Sequence, residues 1–230
     1  MALSDLETAR YARHLTLPGF VPMTQEFLRA ARVQVVGGGE VAGAALVYLA
    51  AAGVGSLLVD DALDLTPEDA ARWPYAGGEV GQPRMLAVIA ALRAATSLCK
   101  VRPFATGAAP TATLICAASP GEARDAAERV RHAGLPYLVA LGDADDGEVV
   151  SVPVGAPCYR CGSRLASLAQ SRSDAPPAPV GILAALELVQ LLAGLVEGPG
   201  GRRVDLVRGL PQTRPTTRVA GCACGRPRTS

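Results

Sequence analysis

Apolar positions along this chain switch repeatedly between short unbroken runs and a period near 3.6. Val33-Gln34-Val35-Val36 reads as a first strand, Val41–Ala52 as an apolar helix and Leu57–Asp60 as a second strand, with Gly53 and Gly55 as the break between them. Helical stretches follow around Pro67–Trp73 and Gln82–Ala95. Strands are then expected at Lys100–Phe104 and Thr111–Cys116, a helix at Gly121–Ala133, and strands at Leu135–Leu141 and Glu148–Val152. Strands separated by helices predict an α/β protein, Rossmann-like, with a mostly parallel sheet and helices on both faces. Upstream, Ser4-Asp5-Leu6-Glu7 has the spacing of a capping box, so a short helix starts there and runs to the break at Pro18-Gly19. A second short helix covers Thr24–Ala31. Beyond residue 153 the pattern changes to an irregular region at Cys158–Cys161, a short helix, a proline-rich loop at Asp174–Pro179 and an apolar helix at Val180–Val196. Arg202–Arg208 and Thr213–Val219 then predict a terminal antiparallel hairpin. The expected organisation is one domain: N-terminal helices over 1–31, a nucleotide-binding core over 32–153 and a clipped C-terminal part over 154–230.

Composition narrows the picture. Half of the 230 residues are apolar but only 4% are aromatic, so the core rests on many small Ala, Val and Leu contacts between helices and sheet. A formal charge of +1 leaves no basic face to track a nucleic-acid backbone or to grip an anionic membrane. Val41–Val59 has no charged residue until Asp60 and approaches the length of a membrane span. Its Gly and Ala content and the break at Gly53 and Gly55 make it helix, turn and strand instead. Val180–Val196 carries Glu187 in its middle and reads as a buried core helix. With no secretory pattern at the N-terminus, the cytoplasm is the expected location.

Directly after the first strand comes Gly37-Gly38-Gly39-Glu40-Val41-Ala42-Gly43, which fits G-x-G-x-x-G/A with Ala42 in the last place. Gly37 makes the tight turn, Gly39 lets a phosphate approach the backbone, and a small third residue lets helix pack on strand. The head of the following helix offers free amides to an anion. Asp60 and Asp61 close the next strand, where a carboxylate can accept from ribose hydroxyls. The same turn also serves as a simple close-packing device. As a ligand site it fits NAD, FAD, S-adenosylmethionine or ATP alike, so a dehydrogenase is a competing class. Glu40 would repel a phosphate unless it points to solvent or meets a cation.

Cys158-x-x-Cys161 and Cys222-x-Cys224 are two close pairs, the composition of a four-thiolate structural zinc site. Cys99 and Cys116 read as buried apolar residues rather than nucleophiles.

Taken together, these motifs resemble the ThiF/MoeB-type adenylyltransferases, relatives of ubiquitin-activating enzymes. The resemblance covers nearly the whole chain. It rests on Arg10-Tyr11-Ala12-Arg13-His14-Leu15 with Pro18, on Ala31–Gly39 followed by Leu49–Gly55, on Gly81-Gln82-Pro83, and on Pro157–Cys161 with the later Cys222-x-Cys224. It implies ATP-dependent adenylation of the C-terminal carboxylate of a small ubiquitin-like or sulfur-carrier protein, with magnesium, by a homodimer or heterodimer. By the same resemblance Asp61 binds ribose, Arg72 and Arg84 hold phosphates, and Arg13 reaches into a partner's site. Arg13 has a plain alternative in pairing with Glu7 or Asp5. The chain departs from the family where the usual Asp-x-x-Asp-Asn run reads Cys116-Ala117-Ala118-Ser119-Pro120, removing the magnesium acids. Arg84 replaces a Lys, Asp69 replaces an Asn, and the loop at Ser171–Pro179 lacks the family's reactive cysteine. These departures raise a second function: a catalytically degenerate subunit that supports an active partner.

Overall fold

Val33, Gln34, Val35 and Val36 lie on the central strand of the sheet's parallel part, with Val33 and Val35 buried under the helices of one face and Gln34 and Val36 half-buried on the other. The computed structural model describes residues 3–105, 107–143, 146–165, 178–196, 200–207 and 209–225. Its strands are β1 (Arg32–Val36), β2 (Ser56–Asp60), β3 (Lys100–Pro103), β4 (Ala112–Ala117), β5 (Tyr137–Asp143), β6 (Asp146–Val152), β7 (Arg202–Val207) and β8 (Leu210–Pro215). They make one sheet in the order β3-β2-β1-β4-β5-β6-β7-β8. The first five pair in parallel, and β5 through β8 pair antiparallel. Because β1 leads outward to β2 and β3, and the chain then returns to β4 on the other side, the order reverses between β1 and β4.

Helices α3 (Gly39–Ala52), α5 (Arg84–Ala95) and α8 (Ala178–Leu192) cover one face of the sheet. Val33 and Val35 of β1, Leu57 and Val59 of β2 and Leu114 of β4 point into that layer, each at most 2% exposed. On the other face α6 (Pro120–Arg131) and α7 (Tyr159–Gly162) pack over Ile115, Val139 and Val150. Two short helices, α1 (Asp5–Tyr11) and α2 (Pro22–Ala30), precede the sheet. The capping box of α1 forms as expected, with Glu7 N–H donating to Ser4 Oγ and Ser4 N–H to Glu7 Oε2.

The expected α/β fold therefore stands, with adjustments. The helical stretch at 67–73 shortens to α4 (Pro67–Ala70). The strand after Leu135–Leu141 folds straight back as an antiparallel hairpin. The second terminal strand begins at Leu210 rather than Thr213 and ends at Pro215, because Gly209 at φ 78° lets the chain reverse within a tight turn. Pro211 and Pro215 sit on that edge strand, where a missing N–H breaks no inner ladder and blunts the edge against foreign strands. Residues 171–177 of the proline-rich loop, and Arg208, lie outside the described residues. Glu187 of α8 is buried and paired with Arg202 of β7, which permits a carboxylate in an otherwise apolar core helix.

Candidate functional site

The reversal between β1 and β4 opens a crevice at the carboxyl ends of the strands, the place where open α/β sheets take their ligands. An open hollow of about 520 Å³ lies there, lined by the turn Gly37–Val41, by Asp60–Leu63 after β2, by Arg84, and by Cys116–Ala118 with Glu122 after β4. The size falls within the usual range for small-molecule sites, about 300–1,000 Å³. Gly37 has φ 91°, and a Cβ there would drive into the Cys116 carbonyl, so only glycine lets the β1 turn pass the end of β4. No side chain caps the head of α3, leaving its first amides open to the hollow. Tyr75 Oη donates to the Gly39 carbonyl at 2.9 Å and holds the turn from below. Burial pushes its phenol well above the ordinary range, so it stays a neutral donor.

The charged residues of the hollow are mostly engaged with one another. Arg84 forks onto Asp61, Nε to Oδ2 at 2.7 Å and Nη2 to Oδ1 at 3.0 Å, and its Nη1 reaches Asp69 Oδ2 at 3.3 Å. Burial opposes the charge on Arg84, but Asp61 and then Asp69 outweigh it and raise its pKa. Glu40 of the turn pairs with Arg72, which also reaches Glu68 at 3.2 Å. The carboxylate that threatened the turn has thus met a cation. Asp60 and Glu122 have no cation partner among the described residues. Burial drives the Cys116 thiol up to about 12, in keeping with a wall residue rather than a nucleophile.

Of the residues singled out in the sequence, Gly37, Gly39, Asp61 and Arg84 meet at this hollow. Arg72 stands behind it, half exposed, turned toward Glu40 rather than lining the space. Arg13 lies on the surface before the 3-10 turn His14–Thr16 and is not among the lining residues. That position leaves it free to reach a partner's site, and its plain alternative is not formed, since Glu7 pairs with Arg29 at 3.2 Å and no ion pair holds Arg13 among the described residues. Glu122 also lines the hollow, though no nucleotide-binding motif in the sequence names it. It sits in the first turn of α6, and its Oε2 accepts from the Ala118 amide at 3.1 Å. Its Ser119-x-x-Glu spacing, the same signal that marked α1, was available. The end of β4 does not fit magnesium held in the family's manner: no carboxylate stands on it, and Ser119 Oγ accepts from the Glu122 amide as the cap of α6.

A second cluster lies at the far end. The four sulfurs of Cys158, Cys161, Cys222 and Cys224 all fall within 4.8 Å of one another. Neighbouring pairs stand 3.9, 3.7 and 3.6 Å apart. Thiolates about 2.3 Å from a tetrahedral ion stand about 3.8 Å from each other, so the cluster fits such an ion and can hold a metal. These separations are far beyond a disulfide bond, and all four cysteines are free. The Val219 amide lies 3.4 Å from the Cys161 sulfur and adds a donor to it.

The protein-family model described as the ThiF family matches residues 11–222. This chain belongs to the ThiF family. It is 31% identical over 221 residues to the molybdopterin-synthase adenylyltransferase of Salmonella typhimurium, spanning 88% of this chain and 89% of that protein. It is 31% identical over 230 residues to the adenylyltransferase and sulfurtransferase MOCS3 of Bos taurus, across 90% of this chain but only 50% of that protein. The chain thus spans about half the length of the MOCS3 relatives it matches. Among solved structures, Escherichia coli MccB crystallised with MccA-N7isoASN is similar in fold, with a TM-score of 0.80 at 17% identity, covering 97% of this chain and 76% of that one. No helix among the described residues is long and apolar enough to cross a membrane.

Proposed function

We propose that this ThiF-family chain binds ATP in the hollow at the β1/β4 reversal and adenylates the C-terminal carboxylate of a small ubiquitin-like or sulfur-carrier protein. The observation that carries the reading is the open space of about 520 Å³ at the uncapped head of α3, flanked by Asp61 and Arg84. The names of the relatives, adenylyltransferases of molybdopterin synthase among them, support the same chemistry. In this reading the amides of Gly39 and its successors meet the phosphates and Asp61 meets the ribose. Arg84 holds Asp61 in place and lends its remaining positive field to the phosphates; Arg72 keeps Glu40 neutralised beside them. Attack of the carrier carboxylate on the α-phosphorus expels pyrophosphate and leaves an acyl-adenylate. Zinc in the four-cysteine site is structural, since four thiolates leave no open position for substrate. The domain boundaries proposed are those expected from the sequence, with residues 32–153 as the nucleotide core. A dimer is proposed as well, for which α2 leaves Met23 and Phe27 exposed beside Val21.

One set of observations favours a second reading, a degenerate subunit that supports an active partner. Asp61 is already engaged by Arg84, no acid stands at the end of β4, and Asp60 and Glu122 add uncompensated negative charge where a triphosphate would lie. Pyrophosphate exchange with a carrier ending in Gly-Gly separates the two. Exchange above background supports the enzyme. Absence of exchange, together with a partner enzyme that loses activity when Arg13→Ala replaces the wild-type subunit, leaves the supporting role.

A further inference from the structure

A second hollow, of about 240 Å³, lies beneath α6 on the face of the sheet opposite α3. Its origin is a short connection. A crossover between parallel strands usually carries a helix and runs to a dozen residues or more, but residues 104–111 join β3 to β4 without one among the described residues. The layer beside α6 is left incomplete, and Pro110 of that connection lines the gap. On its floor three adjacent strands present a polar row. Thr113 of β4 lies 3.4 Å from Gln34 Oε1 of β1, and Gln34 Nε2 donates to Asp60 Oδ2 of β2 at 2.8 Å. A carboxylate only accepts, so the Gln34 amide nitrogen faces Asp60, its oxygen faces Thr113, and Thr113 donates. Asp60 Oδ1 is left without a partner among the described residues. Across the hollow stands Arg129 of α6, exposed and in no ion pair among the described residues.

We propose that this hollow is a site for a small zwitterion of the amino-acid class, its ammonium on Asp60 and its carboxylate on Arg129. The two side chains carry opposite charges on facing walls, yet no ion pair joins them. A ligand bearing both charges satisfies both at once. A lone anion would meet the carboxylate of Asp60, and a lone cation the guanidinium of Arg129. A metal ion is a poorer match, because hard cations take about six or more oxygen ligands and the row offers one free carboxylate oxygen. Thr113, 1% exposed, and Gln34 fix the orientation of that carboxylate, so little side-chain freedom is lost on binding. Arg129 can grip a carboxylate through two parallel N–H donors. A cavity of about 150 Å³ accepts a benzene ring, so the space suits a ligand of this size rather than a peptide. Asp60 also lines the first hollow, where its charge opposes a triphosphate. An ammonium on Asp60 cancels that charge, so the zwitterion acts as an effector that tightens ATP binding. This effector role rests on the nucleotide reading; the binding site does not.

The test is a titration of the full chain, followed by amide chemical shifts, with glycine, β-alanine and 4-aminobutyrate, which differ only in the spacing of their charges. Ethylamine and propionate, each with one charge, are the controls. At least one of the zwitterions is expected to bind on the order of tenfold more tightly than either control, with shifts at Gln34, Thr113 and Ala126. Arg129→Ala, at a position outside the lining of the first hollow, and Asp60→Asn are each expected to remove that advantage. In Asp60→Asn the amide oxygen must face Gln34 Nε2, which turns an amino group toward the ligand's ammonium. No binding of any zwitterion by about 10 mM, or an advantage that survives either substitution, overturns the site. In a second titration the bound zwitterion is expected to tighten ATP binding about threefold to tenfold in wild type and not in Arg129→Ala. Unchanged ATP affinity overturns the effector role and leaves the site. Failure of the folded wild type to bind ATP overturns the nucleotide reading and the effector role together, and the first titration still decides the site.

Discussion

Arg84 occupies the position at which a basic residue was expected to meet phosphate, and its first engagement is with Asp61. The pair is buried, with the Asp61 side chain 4% exposed and that of Arg84 11%. Removing one member of a buried ion pair strands the other, at a cost of about 3–5 kcal/mol, whereas replacing both with apolar groups can be neutral. Arg84→Leu is therefore expected to lower stability in a denaturant titration by that amount, and Asp61→Leu added to it to recover most of the loss. Glu148 of β6 is the other buried charge of consequence. It accepts from the Arg164 and Leu165 amides at 2.9 and 3.4 Å and from Ser163 Oγ, and so anchors the chain as it leaves α7. Burial raises its carboxyl pKa, opposed by the Ser163, Arg164 and Leu165 bonds. A raised folded-state pKa means that the stability tied to its proton is present below the unfolded value and lost as pH rises through the folded one. Between pH 7 and about 4.5, wild type should thus gain in melting temperature relative to Glu148→Gln as the pH falls. A constant gap would contradict it.

Between elements, α3 packs directly against α8 on the first face. Gly181 of α8 meets α3 where a Cβ would collide with the Val41 carbonyl and stand 3.0 Å from Ala44 Cβ. Gly181→Ala is expected to force the helices apart and cost about 1–3 kcal/mol, the range for overpacking, as read by thermal melting. The helix ends and strands here were legible because local signals agree. Ser4-x-x-Glu7 caps α1, Gly53 in the left-handed region closes α3, and β1 follows an apolar run. The start of β8 was misplaced because Pro211 and Gln212 break the strand pattern locally, and only pairing with Leu206 and Asp205 of β7 holds them extended. The edge position tolerates the prolines, and no local signal announces an edge.

Across the whole molecule, the four-cysteine cluster joins residues 158 and 161, next to β6, to residues 222 and 224, beyond the last strand. An ion there ties the terminal hairpin back to the sheet across some sixty residues. Metal analysis is expected to find one zinc per chain. Chelation is expected to raise amide exchange in β7 and β8 while β1, β2, β4 and β5, paired in parallel within the main core, keep their protection. Uniform loss of protection would instead make the ion essential to the entire fold.

The order of strands and helices, the glycine turn, the acid after β2 and the two cysteine pairs are local properties, written in periodicity and spacing, and the chain carries them wherever it folds. Which charges find each other is not local. That Arg84 closes on Asp61 across 23 positions, that Arg72 turns to Glu40 rather than into the hollow, and that Gln34 aims an amide at Asp60 all depend on where the parallel strands register and which face each side chain takes. Coulombic and hydrogen-bond energies act through distance in space, and sequence separation says nothing of that distance until the sheet has formed.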